Sequence, residues 1–244
     1  MMLSRFVPMG LLFTVCFVFP SCNGFEEKTS TEMVSSNLTA VAAEPSSTST
    51  PVINPQVMMM VKHRVGNYAK WKISYDAHDS LRLVHGLHNY VIGRALEDSN
   101  MVLVALKGDD LAKAKSFARD PSLKQAMQKG GVIGAPTPMI LTMVWQDTAS
   151  LDAIRSMVTM TVKDWPTWQK AFEEGRNERL QNGISDRIYG YDADNQTKVT
   201  VVTALTDTAK AYAYWKSDML KIRRAASGAI GEPVRFLFHI VERY

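Results

Sequence analysis

The sequence predicts an α+β protein made of two tandem βαββαβ units, and three observations predict it. The stretch "GGVIGAP" at 130–136 returns as "SGAIGEP" at 227–233. Gly131 and Gly228 stand 97 positions apart (228 − 131), and that offset holds without a gap: Trp71 meets Trp168, Arg82 meets Arg179, Gly93 meets Gly190 and Pro136 meets Pro233. A register kept across Gly, Trp and Pro together marks a duplication, and a period this long is a whole small domain rather than a solenoid turn. Within each copy the apolar spacing alternates between the period of a strand and that of a helix. The copies are bounded at 57–147 and 155–244.

The elements of the first copy follow in order. In "MMMVKHRV" (58–65), Val61, His63 and Val65 share one side of a strand and Met60, Lys62 and Arg64 the other. Asn67 is a helix cap, and Trp71, Tyr75, His78, Arg82 and His85 recur at helical spacing behind it, up to a stop at Gly86. "HNYVIGRALEDSNMVLVALKG" reads as strand, polar turn at Asp98–Asn100, strand. "DDLAKAKSFARDPSLKQAMQKGG" is a helix capped by Asp109 or Asp110, broken at Pro121 and ended by Gly130–Gly131. "GGVIGAP" is then the turn into the last strand (138–145), with Pro136 as helix stop.

The order β-α-β-β-α-β is the split arrangement of the ferredoxin-like fold, in which two helices cover one face of a four-stranded antiparallel sheet. The bare sheet face needs cover, because an exposed apolar face invites aggregation. The duplication supplies the cover: the two sheets pack face to face as a barrel, a dimer within one chain. The run of "HRV", Asn67–Tyr68, Trp71, "DAH" at 76–78, Arg82, Gly86, "DSN" at 98–100, "LKQAM" and "GVIGAP" resembles the antibiotic-biosynthesis-monooxygenase-like domains of the dimeric α/β-barrel superfamily. The resemblance spans both copies and is fuller in the first. It implies the intrachain barrel, a ligand cavity between the helices and sheet of one unit, and an activity on a small aromatic or quinol-like molecule. Fold alone does not fix function.

The chain opens "MMLSRFVPMGLLFTVCFVFPSCNG". Arg5 precedes an apolar run from Phe6 to Phe19 that is too short for a bilayer span and ends in "FPSC". This looks like a loose bacterial lipobox, giving a signal peptide over 1–22 with lipid on Cys22; plain secretory cleavage near Ser21–Gly24 is the alternative. Residues 23–56, rich in Ser, Thr and Pro, read as a disordered tether. The expected location is the bacterial cell envelope, at the outer membrane or periplasm in a Gram-negative source, with membrane contact through the lipid alone. Both cysteines, Cys16 and Cys22, precede the folded part, which excludes disulfides and cysteine catalysis there.

Four of the five histidines, His63, His78, His85 and His88, lie in the first copy, where the second has Met160, Gly175, Asn182 and Ser185. A fold that needed them would keep some in both copies, and a buried imidazole without partners is costly. His63 lies on the strand side the helices cover, and Tyr75, His78 and Arg82 form one helical stripe. His63, His78, Arg82 and Tyr75 are therefore the candidate catalytic set, with His63 or His78 as base toward a quinol or enol. Trp71, His85 and Tyr90 are the candidate pocket residues. Structural readings stand beside these. Trp71 recurs as Trp168 and serves as a core anchor, Arg82 recurs as Arg179, His78 and Arg82 can pair with Asp76 or Asp79, and His85 suits a helix end.

Other chemistry is poorly served. The net charge of +4 is spread out with no basic stripe, which argues against nucleic acid. No compact metal-ligand spacing, nucleophile elbow or phosphate cradle occurs. Haem-degrading relatives in the superfamily use an Asn–Trp–His set, and "MVLVAL" (101–106) carries no tryptophan. No cofactor or metal is expected. Two functions remain open: a cofactor-independent monooxygenase or proton-transfer enzyme, and a non-catalytic lipoprotein that binds a small apolar or aromatic ligand.

Overall fold

The computed structural model describes residues 51–149 and 153–244. The signal peptide, Cys22 and most of the tether lie outside the described residues. The first copy contains β1 (Pro51–Val65), α1 (Tyr68–Ala77), α2 (Asp79–Val84), β2 (Leu87–Ala95), β3 (Met101–Gly108), α3 (Leu111–Ala118), α4 (Pro121–Lys129) and β4 (Val132–Gln146). The second repeats it as β5 (Ile154–Val162), α5 (Trp165–Glu174), α6 (Arg176–Gln181), β6 (Ile184–Asp192), β7 (Asn195–Leu205), α7 (Thr208–Trp215), α8 (Asp218–Ala226) and β8 (Ala229–Arg243).

The helix starts are chemical. Asn67, Asp110, Asp164 and Asp207 each accept a backbone N–H three residues on, which satisfies a donor the first turn leaves free. Pro121 opens α4 behind an Asp120 cap, so the expected break falls there. A second break was not foreseen: the first helix of each copy is split at His78 and at Gly175. β1 begins at Pro51, so residues 51–56, expected in the tether, belong to the strand.

"GGVIGAP" also differs from expectation. Gly130 and Gly131 (φ 77°) alone form the turn; from Val132 onward the segment is already β4, and Pro136 stops no helix. Lys62 pairs with Thr137 but Arg64 pairs with Ile133, so four residues of β4 advance against two of β1. The surplus bows out around Gly134 (φ 75°), opposite His63. The second copy repeats this around Gly231 (φ 67°), between the pairs Thr159–Val234 and Thr161–Ile230 and opposite Met160. The doubled phrase is a doubled β-bulge.

The strands close in the order β1-β3-β2-β8-β5-β7-β6-β4, with β4 returning to β1. The two sheets thus enclose one core and also hydrogen-bond to each other along two seams, β2–β8 and β4–β6. Closure leaves no edge strand among the described residues to template aggregation. Met58, Met60, Leu103 and Leu141 of the first copy and Met157, Val202 and Phe238 of the second fill the interior. The seams require close approach: a Cβ on Gly93 would stand 2.3 Å from the Phe238 ring, and one on Gly190 would stand 2.2 Å from the Thr142 carbonyl oxygen. This explains why glycine occupies that position in both copies.

Candidate functional site

On the outer face of the first copy, helices α1 to α4 cover β1 and β3. Trp71 seats the layer, 3 % exposed and stacked on Tyr75 at 5.0 Å between ring centroids. His63 projects from β1 into this layer, 4 % exposed, with its ring 5.4 Å from that of Trp71. Neither imidazole nitrogen has a hydrogen-bond partner among the described residues. Burial lowers its pKa from 6.5 to about 4, so the ring is neutral at physiological pH. A buried polar group without a partner costs about 1–3 kcal/mol, and such a group marks a site awaiting a ligand or serving chemistry.

His63, Trp71, Tyr75, His78 and Arg82 all line one cavity of about 60 Å³, so five of the expected residues converge. Their states differ. The Tyr75 hydroxyl donates to Asn89 Oδ1 at 2.5 Å, and burial raises its pKa, which keeps it protonated. The His78 ring donates from Nδ1 to the Ser74 carbonyl at 2.7 Å; that oxygen can only accept, so Nε2 is left as the acceptor. Arg82 lies 3.8 Å over the Tyr75 ring and donates to the Tyr75 carbonyl and to Asp79 at 2.8 and 3.0 Å. Arg179 makes the matching bond to the Phe172 carbonyl at 2.7 Å, so in both copies this arginine clamps the two halves of the split helix together. Of the proposed catalytic set, both His63 nitrogens and Arg82 Nε have no hydrogen-bond partner among the described residues, and the Nδ1 bond of His78 leaves its Nε2 free.

Two expected pocket residues lie elsewhere. His85 sits at the α3–α4 junction, its Nε2 3.3 Å from Asp120 and its ring against Phe117. Tyr90 points into the barrel, where its hydroxyl accepts from Gln146 Nε2 at 2.6 Å. A bulge between Asn89 and Val91 resets the alternation of β2, so Asn89 faces the helices and Tyr90 the interior.

The space around this chamber was not among the expectations. A cleft of about 540 Å³ lies between α4, the α3–α4 connection and the bowed segment of β4, and it shares Val61, Leu123 and Met127 with the inner chamber. In the second copy, Val158, Met160, Trp168, Phe172 and Arg179 occupy the positions of Val61, His63, Trp71, Tyr75 and Arg82, and they line a cavity of about 310 Å³. This cavity takes in positions equivalent to both the chamber and the cleft of the first copy, with Leu220, Arg224 and Arg235 standing for Leu123, Met127 and Pro138. The repeated bulge was the available signal, since it bows the strand where the space opens. Among the described residues no cluster of three or more His, Cys, Asp or Glu is placed to hold a metal ion.

No protein-family model and no curated protein matches the chain. Solved structures do. An anthrone oxidase-like protein superposes with a TM-score of 0.55 at 11% identity, over 80% of this chain and 95% of the other. A candidate monooxygenase from Fusobacterium nucleatum gives 0.53 at 9% identity over 78% and 94%, and one from Lactobacillus acidophilus gives 0.50 at 10% over 76% and 94%. Identities this low establish architecture only. The chain has the dimeric α/β-barrel fold of the monooxygenase-like proteins, with both halves of the barrel in one polypeptide.

Proposed function

We propose that the first copy binds a small, conjugated, largely apolar molecule between its helices and sheet, and that His63 acts on a hydroxyl of that molecule as hydrogen-bond acceptor and base, in the manner of a cofactor-independent monooxygenase. One observation carries this: a neutral imidazole, buried in an apolar layer, with both nitrogens unpartnered and facing a cavity. The chamber of about 60 Å³ suits a few waters or a diatomic molecule, whereas pockets for drug-sized ligands span about 300–1,000 Å³. The body of the ligand therefore belongs in the 540 Å³ cleft, with its polar end passing Met127 and Leu123 toward His63. Trp71 forms the wall. With a pKa near 4 the empty-site imidazole is a weak base, and proton transfer is favoured only when the anion it creates stays beside the imidazolium. That electron-rich anion can react with dioxygen: a substrate CH2 becomes C=O, one oxygen atom entering the product and the other leaving as water.

The test is oxygen uptake over a panel of quinols and anthrones by the full chain and by His63→Met, which installs the residue of the second copy. Turnover by the parent, with kcat lower by a hundredfold or more in His63→Met, is expected. Absence of turnover on every panel member would leave the second reading, binding without catalysis. That reading is favoured by the small chamber and by the commitment of Arg82 and Tyr75 to structural bonds. We also propose that Cys22 carries lipid and holds the barrel at the cell envelope, on the strength of the "FPSC" ending of the apolar leader. Loss of membrane-fraction protein and of incorporated palmitate in Cys22→Ala checks it.

A further inference from the structure

The cavity of the second copy differs from the first in charge as well as volume. At the positions of Ala118, Met127 and Pro138 it carries Trp215, Arg224 and Arg235, all lining the 310 Å³ space. Four guanidiniums line that space: Arg179, Arg223, Arg224 and Arg235. Three have acidic partners. Arg179 is bound to Asp186 at 2.8 and 2.6 Å, Arg223 to Glu178 at 2.6 Å, and Arg224 to Glu232 at 3.1 Å. Arg235 pairs with no carboxylate among the described residues. It lies 3.6 Å over the Trp215 ring and donates to Ser156 Oγ at 2.6 Å. Burial lowers the Arg235 pKa from 12.5 to about 10, with the Tyr212 phenol opposing the shift and Arg224 adding to it. A guanidinium at even that value stays charged at neutral pH.

A half-buried cation held against an aromatic wall, lining a cavity and with no carboxylate partner among the described residues, is placed to receive an anion. The guanidinium fork matches a carboxylate, and Trp168, Phe172 and Trp215 match a flat apolar body. We infer that the cavity of residues 155–244 binds an aromatic carboxylate, its ring among the aromatic side chains and its carboxylate on Arg235. This site is separate from His63 and stands or falls independently of it.

The probe is 2-naphthoate, with 2-naphthamide as neutral isostere, titrated calorimetrically into the full chain. One naphthoate per chain in this site, bound at least tenfold tighter than the amide and weakening with salt, is expected. Arg235→Met, which keeps an apolar stem over Trp215, abolishes the preference, while Arg235→Lys keeps a preference for the anion. His63→Met leaves the titration unchanged, which separates failure here from failure of the enzyme proposal. Equal binding of acid and amide by the parent overturns the inference, as does no saturable naphthoate binding. Retention of the preference in Arg235→Met, with circular dichroism showing a folded variant, overturns it as well.

Discussion

Asp186→Asn tests how each copy secures its arginine clamp. Asp186 is 4 % exposed and binds Arg179 through both carboxylate oxygens, with Arg176 at 3.4 Å. The first copy has solved the same problem in reverse. There Asn89 stands where Asp186 stands, Asp79 stands where Arg176 stands, and Asp79 receives both Arg82 at 3.0 Å and Asn89 at 2.7 Å. The carboxylate has moved from strand to helix. Asp186→Asn alone leaves Arg179 without a carboxylate and with Arg176 as a repelling neighbour; breaking a buried pair this way costs about 3–5 kcal/mol. For a folded body of this size that lowers Tm by about 10 °C. Adding Arg176→Asp rebuilds the arrangement of the first copy and recovers most of the loss. Recovery is incomplete because Arg176 also lies 4.5 Å over the Trp145 ring. Urea denaturation of parent, single and double variants supplies the numbers. A single variant that loses less than about 1 kcal/mol, or a double variant no more stable than the single, refutes the clamp argument.

Two further outcomes concern the barrel and its imidazole. The His63 pKa is lowered in the folded state, from 6.5 to about 4, so the unfolded chain takes up the proton first and stability is lost as pH falls through that window. The difference is about 3 kcal/mol by pH 4, and it should vanish from the pH–stability profile of His63→Met; equal acid slopes in the two proteins would mean the ring is not buried neutral. Gly190→Ala places a methyl group 2.2 Å from the Thr142 carbonyl oxygen and 2.9 Å from Met143 Cα. Backbone cannot yield there as a side chain can, so a loss of about 1–3 kcal/mol is expected in urea; an unchanged midpoint would show that the β4–β6 seam is open in solution.

Much of the architecture was legible because it is written in local chemistry or in the repeat. The offset between copies, the caps at Asn67 and Asp110, the stop at Pro121 and the side of β1 that carries His63 needed no tertiary knowledge. The bulges were not legible. Alternation predicts facing only until an extra residue resets it, which is why Tyr90 went to the wrong side of β2 while Asn89 joined the site. Cavity size was hidden too, since it depends on side chains arriving from four helices and two strands at once. The arginine clamp was visible only as a recurring residue; its exchange of Asp79 and Asn89 for Arg176 and Asp186 appears when paired columns are read together.

The distribution of change between the copies follows from where each residue sits in the layers. The barrel interior is common property: Met58, Met60 and Leu103 pack with Met157, Val202 and Phe238, so a substitution there disturbs both halves together. The seam glycines are held likewise, because each admits the other copy's strand. The helix-covered layers are largely private. The first is built from its own copy and the second takes in only Trp145 and Val144 from the other, so each cavity can exchange side chains with little effect on the opposite half. That is where His63 corresponds to Met160, Met127 to Arg224 and Pro138 to Arg235. A homodimer must present the same cavity twice, since one sequence writes both. Two copies in one chain are free of that constraint, and these differences fall in the outer layers: a neutral imidazole above one sheet and a guanidinium without a carboxylate partner among the described residues above the other.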